Sequence, residues 1–118
     1  MNMNTISKHI APIIEANQKI GADKYLDAYV ERIARKAGEF EAHDQRGSQV
    51  DALASLGELL LATHLLAEVY ARKTGTDPTL AAESAADKVL KRAAVIESLL
   101  AQDVDFNAAV AAAKRRHP

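Results

Sequence analysis

VDALASLGELLLATHLLAEVY, residues Val50 to Tyr70, is the most apolar segment of the chain, and its reading decides the fold. Leu53, Leu56, Leu60, Ala67 and Tyr70 recur at spacings that place them on one helical stripe. Leu59, Leu61, Leu65, Leu66 and Val69 fill the flanks and part of the opposite face. A helix lying on a protein surface keeps only about a third of its circumference apolar, so one that is apolar nearly all round must be covered on several sides. The segment is expected to be a central helix. Glu58, His64 and Glu68 interrupt it, and its apolar run falls short of the roughly 20 residues a bilayer span needs, so no membrane role is expected.

Composition agrees with a helical protein. Alanine, the best helix former, supplies about a fifth of the residues, while glycine and proline are few. At 118 residues the chain is long enough to bury a continuous core, and residues 1–118 read as one domain. Cysteine is absent, which excludes disulfides and thiolate metal sites. No positively charged, apolar leader opens the chain, so a cytoplasmic location is the expectation. A net charge of −1 gives no global field toward nucleic acid or anionic lipid.

Working outward from the central segment, His43–Ser48 (HDQRGS) reads as a loop in which Gly47 takes a left-handed conformation and Ser48 caps the central helix. Before it, Asp23 is expected to cap a helix carrying Leu26, Val30, Ile33, Ala37 and Phe40 at alternating spacings of four and three, with Tyr29 beside them. Its outer face would hold Glu31, Arg32, Arg35, Lys36 and Glu39. A first, shorter element carries Ile6, Ile10, Ile13, Ile14 and Ile20, with Gly21 as its stop. Pro12 predicts either a kink there or a helix that starts at Pro12 itself.

Downstream, Thr74-Gly75-Thr76-Asp77-Pro78 joins a glycine stop to an aspartate cap and a proline at the first helical position. The helix that follows, to about Gln102, repeats Ala82, Ala86, Val89, Ala93, Ile96 and Leu100 in heptad-like register. Asp103 or Asp105 then caps a last short helix with Phe106, Ala109, Val110 and Ala113 facing inward. The architecture predicted is an all-α antiparallel bundle of four to five helices, three long central ones of about 35 Å plus short terminal ones.

Candidate chemistry is sparse. The string Ala42-His43-Asp44-Gln45-Arg46-Gly47-Ser48 resembles the phosphoacceptor motif of histidine phosphotransfer domains, an all-helical family of about this size. The resemblance implies an imidazole at His43 that accepts a phosphoryl group, a balancing cation at Arg46, and a glycine at Gly47 that admits the partner. It covers seven residues. The family continues its helix through the motif and has a further glycine where this chain has Leu53, and Asp44 adds a negative charge beside the imidazole. Neither His64 with Glu68 nor Glu39 with His43 repeats the three-residue spacing of di-iron bundles, so no metal and no cofactor are expected.

Two groups of cations could meet phosphates: Arg32, Arg35 and Lys36, and the C-terminal Lys114, Arg115 and Arg116. The first group is interleaved with Glu31 and Glu39, and cations at a helix C-terminus follow from the macrodipole. No phosphate loop and no nucleophile–base set can be placed, so the chain is not expected to be an enzyme. The surplus apolar surface of the central helix, Leu59, Leu61, Leu65, Leu66 and Val69, instead points to a small soluble interaction module whose partner is a protein, first of all a second copy in a homodimer. A phosphotransfer module using His43 and a nucleic-acid-binding regulator using the basic groups are the alternatives.

Overall fold

The computed structural model describes residues 3–118, with side chains from Lys8 onward, so the expected apolar role of Ile6 lies outside the described residues. The fold is the expected all-α helical bundle, with five α-helices and, among the described residues, no strand. In chain order these are α1 (Met3–Lys19), a short 3₁₀ turn (Ala22–Lys24), α2 (Leu26–Gln45), α3 (Gln49–Thr74), α4 (Pro78–Leu100) and α5 (Phe106–Arg116). They group into two compact units, Met1–Thr76 and Asp77–Pro118, each described by itself.

In the first unit α2 and α3 form an antiparallel hairpin, and α1 packs against α3. The core is Ile10 and Ile14 of α1, Tyr29 of α2, and Leu65 and Val69 of α3, with Ile13, Leu26, Leu61 and Leu66 packed around it. The Tyr29 hydroxyl accepts a hydrogen bond from Asn17 Nδ2 at 2.9 Å, which ties α1 to α2. Pro12 neither starts a helix nor ends one: α1 runs through it. The N–H that proline lacks would have bonded the carbonyl of Lys8, and both residues lie on the exposed side, where water can serve that carbonyl.

Gly21 stops α1 as expected, with φ 72°. Asp23 does not cap α2, because the extra 3₁₀ turn moves the boundary on and Tyr25 occupies the cap position without a side-chain bond. The inward stripe of α2 is also shifted. Leu26, Tyr29, Ile33, Lys36, Phe40 and His43 are buried or half-buried, whereas Val30 and Ala37 are exposed. A stripe read through 30 and 37 and one through 29 and 36 lie about 100° apart on the helix, and the position of α3 selects the second.

α2 ends in a double-bonded reversal: Ser48 N–H bonds His43 O at 3.0 Å, and Gly47 N–H, with φ 73° at Gly47, bonds Asp44 O at 3.0 Å. This satisfies two helix-end carbonyls through the one residue free to be left-handed. Ser48 holds the N-cap position of α3, but its hydroxyl donates to Asp51 Oδ2 at 2.7 Å and accepts no backbone N–H. Gly75 closes α3 in the left-handed region, and Gly75 N–H bonds Ala71 O at 2.8 Å.

At 26 residues α3 is, by length and composition, long and apolar enough to cross a membrane, contrary to the sequence expectation that the run is too short. Its most apolar 18-residue window is 22% buried within the protein.

The second unit is a single helical hairpin. Asp77 caps α4 by accepting Thr79 N–H at 3.0 Å ahead of Pro78, as the sequence requires. The helix stops at Leu100, and Asp103 sits at φ 61° in the left-handed position that glycine holds at the ends of α2 and α3. Asp105 is the cap of α5, accepting from Asn107 and Ala108 N–H. Ala109 and Ala113 of α5 are fully buried. Side chains this small let two helix backbones come close. Arg92 Nε donates to the carbonyl of His117 at 2.8 Å and fixes the open end of the hairpin.

Candidate functional site

The apolar face expected to serve as an interface is largely interior. Leu65 and Val69 are 7% and 5% exposed in the core of the first unit, Leu61 and Leu66 are packed against that core, and Leu59 is half-buried. Two helices, α1 and α2, both lie on this side of α3, which is why the flank rather than the Leu53 stripe is covered. Leu53 and Tyr70 are exposed, as is Val50. The rest of that stripe, Leu56, Leu60 and Ala67, is half-buried, so the flank is the more deeply covered face of α3.

A second exposed apolar surface is on α4, which has no buried residue. Leu80, Val89 and Leu90 are 65%, 61% and 70% exposed. Ala82, Ala86, Val89 and Ala93, the first four positions of its heptad-like seam, all face solvent. A seam of this kind packs a helix at a shallow crossing angle. α5 engages the C-terminal half of α4, where Arg92, Val95, Ile96 and Leu99 are half-buried, and leaves the first half without cover in this unit. The signal for this seam in the sequence is its spacing of four and three residues, weaker in apolar bulk than the leucines of α3.

The His43 motif is helical rather than looped, since α2 extends to Gln45. His43 is half-buried, and Arg46 Nη2 lies 2.7 Å from its Nδ1. Because a guanidinium only donates, that contact requires Nδ1 to be the unprotonated nitrogen, leaving the proton of the neutral ring on Nε2. Gly47 closes the helix directly behind the pair. The structure thus brings His43, Arg46 and Gly47 together at one helix end.

The first basic group comes apart. Lys36 is on the inward stripe, its side chain 16% exposed, and it bridges Glu58 Oε2 of α3 at 2.5 Å and Glu39 Oε2 at 3.1 Å. The hydrogen bond it donates to Glu58 first, then that to Glu39, holds the Lys36 ammonium above its ordinary value; Lys36 in turn holds the Glu58 carboxyl below its own. A lysine engaged by two carboxylates is a tie between helices and not a phosphate contact. Arg32 and Arg35 remain exposed. In the second unit, exposed Lys114, Arg115 and Arg116 end α5 beside Arg92, and His117 shares a shallow cleft with Lys88 and Lys91. Asp87 pairs with Lys91 at 2.9 Å there.

His64 is half-buried on α3, while Glu68, one turn on, accepts from Arg72 Nε at 3.0 Å. Among the described residues no three His, Asp or Glu side chains converge as a metal site would require. Compared with known protein families, with curated proteins and with solved structures, the chain shows no significant match to any of them.

Proposed function

We propose that this chain is a helical protein-interaction module that associates with a second copy of itself and carries no chemistry of its own. The observation that supports the reading is the uncovered seam of α4, in which Ala82, Ala86, Val89 and Ala93 line one face with exposed Leu90 at its edge. Single exposed leucines are ordinary on proteins, but a contiguous apolar helix face in heptad register is the geometry that another helix fills. A two-fold interface presents the same patch from both copies, so an apolar seam is self-complementary without matching charges. Small residues at three of the first four seam positions favour close approach of the paired helices.

The test is the molar mass of the full chain by light scattering on a sizing column across a wide concentration range. Wild type is expected to be a dimer, and Leu90→Glu a monomer of unchanged helix content. A monomer at every concentration refutes the reading, as does a Leu90→Glu chain that loses its helix content, because the face would then be core.

A further inference from the structure

A cavity of about 350 Å³ opens in the first unit where the C-terminal ends of α1 and α3 meet the 3₁₀ turn. Its floor is apolar, formed by Ile14 and Val69, both core residues. Its walls carry three cations from two elements, Lys24 of the turn and Arg72 and Lys73 of α3, together with Gln18 of α1. We infer that this cavity binds a small organic anion, a phosphate monoester or carboxylate with a compact apolar body.

The charge balance favours an anion. Asp23 is the one carboxylate in the lining, and Glu68 just beyond it takes Arg72 Nε at 3.0 Å, so three cations face two carboxylates. That bond uses one of five guanidinium N–H donors; the others can fork onto two oxygens of one phosphate or carboxylate. Helix C-termini would ordinarily repel an anion. Here part of that negative end is neutralised: Gly21 N–H bonds Gln18 O, Gly75 N–H bonds Ala71 O, and the Thr74 hydroxyl bonds Tyr70 O.

Macrodipole complementarity alone would account for exposed cations at these helix ends, but it would not place a cavity with an apolar floor between them. The size also decides between ligands. Small-molecule sites run from about 300 to 1,000 Å³, which puts this one at the lower end and fits a single ring or short alkyl body rather than a nucleotide. Cationic walls over an apolar floor select a molecule that is anionic at one end and apolar at the other.

The experiment is an amide chemical-shift titration of the full chain with phenyl phosphate, inorganic phosphate and phenol. Phenyl phosphate is expected to give saturable shifts at Gln18, Lys24, Arg72 and Lys73. Inorganic phosphate and phenol, each lacking half of the recognition, should bind at least about tenfold more weakly, as should phenyl phosphate to the Arg72→Gln/Lys73→Gln chain. Circular dichroism establishes that this variant keeps its helix content, and Lys91→Gln, in the other unit, should bind as wild type does. The inference is overturned if no saturable shift occurs at millimolar ligand or if the shifts lie elsewhere. Inorganic phosphate binding as well as phenyl phosphate, or a double variant binding as wild type does, would overturn it equally.

Discussion

The two units solve the same problem with different means. The first wraps three helices around Ile10, Ile14, Tyr29, Leu65 and Val69, so large apolar side chains point at one another and leave water. The second lays two helices side by side on alanines, burying Ala109 and Ala113 while Leu80, Val89 and Leu90 stay in solvent. Two helices share only one seam, whereas three enclose a volume, so a hairpin can be well capped and well registered and still keep most of its apolar area exposed. The long apolar helix α3 therefore contributes Leu65 and Val69 to a core, whereas α4 has no buried residue.

The sharpest way to break this comparison is to truncate one leucine in each unit. Leu65→Ala should cost about 2–5 kcal/mol in chemical denaturation, the range for emptying a packed core site. Leu90→Ala, at dilutions where the chain is monomeric, should stay within about 0.5 kcal/mol of wild type. Equal losses at the two positions would mean that the α4 face is as enclosed as the core.

A smaller effect tests how the hairpin is held. Ala113→Leu inserts bulk where the two backbones approach and should cost about 1–3 kcal/mol, whereas Ala111→Leu on the exposed side of α5 should be close to neutral. A harmless Ala113→Leu would show that the α4–α5 contact is loose and held mainly by its caps.

The smallest effect separates the ties across each hairpin by pH. In the first unit Lys36 bridges α2 to Glu58 of α3, and both groups titrate; in the second, Arg92 is held by a backbone carbonyl that does not. The Glu58 carboxyl is lowered from its ordinary value of 4.5, so its contribution is complete above that pH and is lost as pH falls through the lowered folded value. The Lys36 ammonium is raised from 10.5, so its share is complete below that pH and disappears as pH rises through the raised value. Amide exchange from pH 5 downward should therefore loosen α2–α3 before α4–α5, with the acid sensitivity reduced in Lys36→Met. Loosening of both hairpins together, or an unchanged profile in Lys36→Met, would remove the ion pair from the account.

The punctuation of the fold could be read directly from residues whose chemistry is local. Gly75, Asp77 and Pro78 fix the end of one helix and the start of the next whatever surrounds them, and Gly47 does the same after α2. Register is not local. Lys36 looks like an outer-face residue until α3 supplies Glu58, and the long aliphatic stem of lysine lets it occupy an inward position with little conflict. Nor could α3 reveal which of its apolar faces is covered, since leucines occur on both; α1 and α2 decide that. The cavity cations Lys24, Arg72 and Lys73 read as unremarkable helix-end charges, because only the fold brings the turn beside the end of α3.

The order of the first unit's contacts sets how it can be assembled. α2 and α3 are joined by three residues, from Arg46 to Ser48, so their hairpin closes with almost no loop entropy to overcome. α1 instead reaches past the whole of α2 to pack its Ile10 and Ile14 with Leu65 and Val69 toward the C-terminal end of α3. Low contact order of this kind belongs to folding times of microseconds to milliseconds. The α2–α3 hairpin is thus the pairing with the smaller closure entropy, and the isoleucines of α1 complete the core at the larger one.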